Sequence, residues 1–188
     1  MSILSKFFNN EAAQTRVKIC DIISTSIQSI TKLEKEYIQK FSSQDLTYLR
    51  KNHNTNESKF EKAIFTLSII YKIYNKYGIS KEEFFSLVYS TYDLFANHEI
   101  REKLKKNGVR SKTDFLNSRL NFYIRELDLL TNLEHPHSGY ITNYWYVNPL
   151  SLEEGVDKGF HTLTFFLSII YPDYLKLVED SVNKVLEN

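Results

Sequence analysis

Gly139-Tyr140-Ile141-Thr142-Asn143-Tyr144-Trp145-Tyr146-Val147 is the stretch on which the fold reading turns. It is aromatic and β-branched, opens on a glycine and is followed by Pro149. Such side chains fit a pleated, half-buried surface, and turn residues bound the run, so the pattern predicts a β-strand. A lone strand cannot satisfy its own N–H and C=O groups. Its nearest partner is the stretch Thr131–Glu134, across the turn His135-Pro136-His137-Ser138-Gly139, so a two-stranded hairpin is expected.

Upstream of that stretch the apolar period is helical. Ile19, Ile23, Ile27, Ile30, Tyr37 and Phe41 mark one helix over about 11–41, and the polar residues 42–58 predict a loop. Ser58 and Glu61 have the spacing of a capping box and open a second helix, apolar nearly all round and therefore central, which Gly78 ends. Ser80 with Glu83 opens a third. A short basic helix over His98–Lys106 is stopped by Gly108. The next begins near Ser111 and buries Leu116, Leu120, Tyr123, Leu127 and Leu130. Downstream, Ser151 with Glu154 opens the last helical region, and Pro172 fits best as the first residue of a final helix. One echo joins the two ends: Phe65–Tyr71 and Phe165–Tyr171 agree at six of seven places, either a duplication or two buried helices of similar composition.

The order from Ser80 to Val147 is thus helix, short helix, turn, helix, hairpin, and the helix before the hairpin carries Ser118-Arg119-Leu120-Asn121-Phe122-Tyr123-Ile124-Arg125. That resembles a winged helix-turn-helix, in which a third helix after a tight turn leads into a hairpin wing. The expected fold is mainly α: a single domain over 1–188, with a winged-helix-like core of three helices plus a β-hairpin at 80–148. Extra helices flank it in 1–79 and 149–188. The resemblance implies duplex DNA contact through Lys105, Lys106, Arg110, Lys112, Arg119, Asn121 and Arg125. Lys and Arg neutralise phosphates, and Arg and Asn can read base edges. The expected wing argues the other way, because Glu126–Asp157 contains no Lys or Arg. It offers Tyr140, Tyr144, Trp145 and Tyr146, residue types that suit a protein partner.

Composition agrees with an ordinary globular chain. Its 188 residues are 42% hydrophobic and 25% charged, which excludes a disordered or low-complexity segment. Net charge is +1, so a globally basic nucleic-acid binder is not indicated. The one cysteine, Cys20, permits no intramolecular disulfide, and on its amphipathic helix it reads as a small core residue. Met1–Asn10 lacks the apolar run of a secretory signal, and Leu163–Tyr171 is about half of the ~20 residues that span a bilayer. The expected location is cytoplasmic, with no membrane partner.

A second resemblance lies at the N-terminus. Phe8-Asn9-Asn10-Glu11, followed by Arg16 and an Ile-rich amphipathic helix, is similar to the start of the middle components of ABC-type three-component (Lamassu-like) antiphage systems. Ser168 with Tyr171 matches the Ser-x-x-Tyr feature of their last helix. The resemblance implies a non-catalytic subunit that bridges an SMC-like ATPase to an effector. Read without it, Asn9 or Asn10 caps the first helix and Glu11 complements the helix dipole.

Catalytic chemistry has no constellation to rest on. His135-x-His137 supplies two imidazoles where zinc needs three or four ligands. The acid pairs Glu82-Glu83 and Glu153-Glu154 sit in first helical turns and complement helix dipoles. Five glycines form no phosphate-cradling loop. The expectation is no enzyme, no metal and no cofactor: a protein–protein bridging subunit of a larger DNA-associated complex. The alternative is a winged-helix DNA-binding transcriptional regulator.

Overall fold

A computed structural model describes residues 12–40, 46–76, 84–85, 88–89, 92–93, 95–131, 141, 143–152 and 161–187. The helices are α1 (Ala12–Lys40), α2 (Thr47–Asn52), α3 (Asn56–Asn75), α4 (His98–Lys106), α5 (Lys112–Thr131) and α6 (His161–Glu187). A single π-helical turn, Asn143–Val147, lies between α5 and α6. Helix α3 is the axis of the fold. It packs on α1, α5, α6 and the π turn, and α1 packs on α6. Every residue from Phe60 to Ile70 is buried, as a helix apolar on all sides requires. Phe65 sits at the centre, edge-on to Trp145 at 5.0 Å and Tyr123 at 5.4 Å, and stacked on Tyr174 at 6.1 Å.

The helix ends follow local chemistry. Asn97 caps α4 by accepting from the Ile100 N–H at 2.9 Å. Gly108 closes it at φ +88, with Gly108 N–H donating to the Lys105 carbonyl and Val109 N–H to the Leu104 carbonyl, each at 3.0 Å. That is the pair of bonds of a Schellman stop. The Ser111 hydroxyl accepts from the Asp114 N–H at 3.1 Å at the start of α5.

The structure overturns four expectations. There is no β-strand among the described residues, so the hairpin wing and with it the winged-helix core are absent. Ile141 is helical, 143–147 form the π turn, and 132–140 lie outside the described residues. The physical reason is burial on all sides. Tyr144, Trp145 and Tyr146 are at most 2% exposed. A strand would point alternate side chains to opposite faces of a sheet, whereas a helical turn fans three consecutive rings into helices that surround it. The loop expected over 42–58 contains α2. The capping box read at Ser58 and Glu61 is displaced: Thr55 is the cap, accepting from the Ser58 N–H at 3.2 Å, and both Ser58 and Glu61 are buried inside α3. Pro172 lies within α6 rather than starting a helix.

Candidate functional site

Glu61 and Lys62 are adjacent in α3, and both are fully buried. Successive helical residues diverge by about 100°, so the two side chains reach different neighbours. Lys62 Nζ lies 2.6 Å from Glu34 Oε1 of α1 and donates to the His53 carbonyl at 2.8 Å. It stands 5.2 Å from the centre of the Tyr146 ring. The Tyr146 hydroxyl donates to Glu34, and Asn52 Nδ2 donates to the Tyr146 carbonyl. On the other side, Glu61 Oε2 accepts from the Tyr123 hydroxyl at 2.8 Å and lies 3.3 Å from Arg119 Nε of α5. Burial pushes the Glu34 and Glu61 carboxyls up and the Lys62 ammonium down, against the opposing pull of their partners.

These groups hold the segment that follows the π turn. Leu150 is a buried leucine at φ +63, a conformation that costs a β-carbon residue about 1–2 kcal/mol. Its N–H donates to Glu61 Oε1 at 3.0 Å, and its carbonyl accepts from Asn107 Nδ2 at 3.0 Å. Arg119 donates to the Ser151 carbonyl and lays its guanidinium 3.4 Å from the centre of the Tyr144 ring.

Against that braced segment lies a groove of about 300 Å³. One wall is a face of α5 carrying Phe115, Ser118, Arg119 and Phe122; the others are Val109 to Ser111, Tyr144 and Leu152. The rings, Val109 and Leu152 give it an apolar side, and Arg110, Ser111, Asp114, Ser118, Arg119 and Ser151 a polar one. Arg119 is buried within it, and Arg110 and Ser118 are exposed.

The candidate DNA-contacting residues differ in exposure and in their partners. Arg119 is 5% exposed and committed to Glu61, Ser151 and Tyr144. Asn121 and Arg125 are exposed, with Arg125 Nε 3.2 Å from Glu126 Oε1. Lys105 pairs with Glu102 at 2.8 Å and Lys112 with Asp93 at 3.0 Å. Arg101 also meets Asp93, at 3.4 Å, and Lys103 meets Glu99 at 3.2 Å and Glu57. Lys106 and Arg110 form no ion pair among the described residues. Of the candidate partner-binding rings, Trp145 and Tyr146 are fully buried inside the chain, Tyr144 is buried behind the groove wall, and Tyr140 lies outside the described residues.

Glu34, Glu61 and Lys62 escape sequence reasoning. The signal for Glu34 is an acid in register with the buried stripe Ile27, Ile30, Tyr37; for Glu61 and Lys62 it is a charged pair inside an otherwise apolar helix. Among the described residues no group of three or more His, Cys, Asp or Glu could hold a metal ion, and no helix is long and apolar enough to cross a membrane. No protein-family model, curated protein or solved structure matches the chain.

Proposed function

We propose that the chain is a non-catalytic protein-binding subunit, a bridge within a larger DNA-associated assembly. The groove beside α5 is the observation that carries this reading: a recess of mixed apolar and polar lining whose edge is held by the buried Glu61 and Arg119. Pre-formed recesses with a few placed polar groups are where binding concentrates. The buried acids and bases support the same view, because Glu34, Lys62 and Glu61 are engaged with one another's elements and with main chain. The N-terminal resemblance supplies the nature of the assembly, an SMC-like ATPase with an effector in antiphage defence; its motif Phe8–Glu11 lies outside the described residues.

The experiment is purification of the tagged chain from its native cells at physiological salt, with nuclease treatment, followed by sizing. A stoichiometric large ATPase subunit in the same peak is the expected result. A chain that elutes alone and binds a duplex with a steep salt dependence refutes the bridge and favours the regulator reading through Lys106, Arg110, Asn121 and Arg125.

A further inference from the structure

We infer that the groove between the 108–111 turn, α5 and residues 144–152 receives an apolar side chain of a partner protein, with a carboxylate next to it in the partner's sequence. The inference rests on the protein-binding reading and adds what the partner must look like. Three independent features converge on this one place. The π turn supplies Tyr144, and such turns recur at functional sites. Leu150 holds a left-handed backbone directly before the lining residues Ser151 and Leu152, and strain of this kind persists where surrounding structure over-determines it. Arg119, buried, ties the Ser151 carbonyl to the α5 wall. Side chains of three different elements (Glu61, Asn107 and Arg119) thus fix two consecutive residues of the groove's edge. A rigid edge lowers the ordering cost of binding.

The lining selects the occupant. Val109 and Leu152 offer apolar contact at the surface, backed by the rings of Phe115, Phe122 and Tyr144, which are at most 7% exposed; Leu152 is 53% exposed, a large side chain left without full cover among the described residues. A volume of about 300 Å³ is at the small end of ligand pockets, enough for one or two side chains. The charge of Arg119 is already met by Glu61. Asp114, on the rim, lies in the first turn of α5, where the helix dipole complements it. Lys106 plays the mirror role at the end of α4. Arg110 is the exposed cation of the lining that has neither an ion partner among the described residues nor a helix end to complement. A carboxylate adjacent to the anchoring side chain meets it. Duplex DNA fits poorly, because Lys103, Lys105, Lys112 and Arg101 are paired with Glu57, Glu99, Glu102 and Asp93 and Asp114 lines the recess.

Amide NMR on the full chain tests this with three probes: a short peptide holding Leu-Phe flanked by Asp and Glu, the same peptide flanked by Lys, and a DNA duplex. The acidic peptide should shift amides of 108–111, 115–122 and 151–152 and bind at least about tenfold tighter than its basic counterpart. Ser118→Trp, which fills the groove from an exposed position, should abolish binding while leaving the melting temperature within a few degrees. Arg110→Glu should invert the peptide preference. Shifts elsewhere, equal binding of the two peptides, no peptide binding at all, or shifts of these amides by the duplex alone would each overturn the inference. Native co-purification that survives Ser118→Trp defeats the groove and leaves the bridging role standing. Loss of every partner from the wild-type chain defeats the bridging role, and the peptide result is read separately.

Discussion

Replacing Lys62 by Met should be among the most damaging single changes in this protein, and replacing Glu34 by Leu at the same time should reverse most of the damage. Both side chains are fully buried, 2.6 Å apart. Lys62→Met leaves the Glu34 carboxylate with the hydrogen bond from the Tyr146 hydroxyl; Glu34→Leu leaves the Lys62 ammonium with the His53 carbonyl. An uncompensated buried charge costs about 3–5 kcal/mol, a large part of the ~5–15 kcal/mol that stabilises an ordinary domain. The double variant removes both charges. What it retains is a Tyr146 hydroxyl without its acceptor, a cost of about 1–3 kcal/mol, and a half-buried His53 carbonyl without the Lys62 donor. Simple addition of the single costs gives about 6–10 kcal/mol, so the cycle should show a coupling of about 5 kcal/mol. Urea unfolding reads this directly through Trp145, the sole tryptophan, fully buried and 5.8 Å from Lys62 Nζ. As an internal control, the exposed pair Lys72–Asp128, also 2.6 Å apart, should contribute no more than about 1 kcal/mol. Additive single costs, or a Lys62→Met variant within ~1 kcal/mol of wild type, would show that the pair is wetted and the account of the core is mistaken.

Three further outcomes follow from named geometry. Gly108→Ala should cost about 1–2 kcal/mol in denaturant unfolding, since the added β-carbon meets Leu152 at an ordinary 3.8 Å and the cost comes from φ +88 alone. Arg119→Lys should destabilise by about 2–3 kcal/mol, because an ammonium cannot bridge Glu61, the Ser151 carbonyl and the Tyr144 face together; an unchanged midpoint would refute that role. Burial raises the Tyr74 and Tyr171 phenols to about 12, from 10.0. Their contribution to stability is therefore complete below pH 10 and is lost as pH rises through about 12, so part of the tyrosine absorbance change should coincide with alkaline unfolding rather than precede it.

Helix existence was readable because it is a local property. The stripe Ile19 to Tyr37 specifies α1, and Gly108 stops α4, since a left-handed stop acts over three or four residues. The all-round apolarity of 60–70 announced a central helix before its neighbours were known. Residues 141 and 143–147 defeated the same reasoning. Aromatic and β-branched side chains suit a strand and a tightly packed turn alike, and the choice depends on what surrounds them. Here Glu34, Phe65, Lys62 and Phe122 come from three different helices to meet those rings. The site is less legible still. Arg119 has the same sequence appearance as an exposed recognition residue, and only the position of Glu61 turns it inward.

Periodicity, caps and breakers thus set out which segments coil and which faces are greasy, because those forces act between residues a turn apart. Which charges go inside, which way the Tyr144–Tyr146 rings point and where the groove opens were settled by α1, α3 and α5 coming together. Desolvation and pairing are decided between residues tens of positions apart, and no local pattern encodes that meeting.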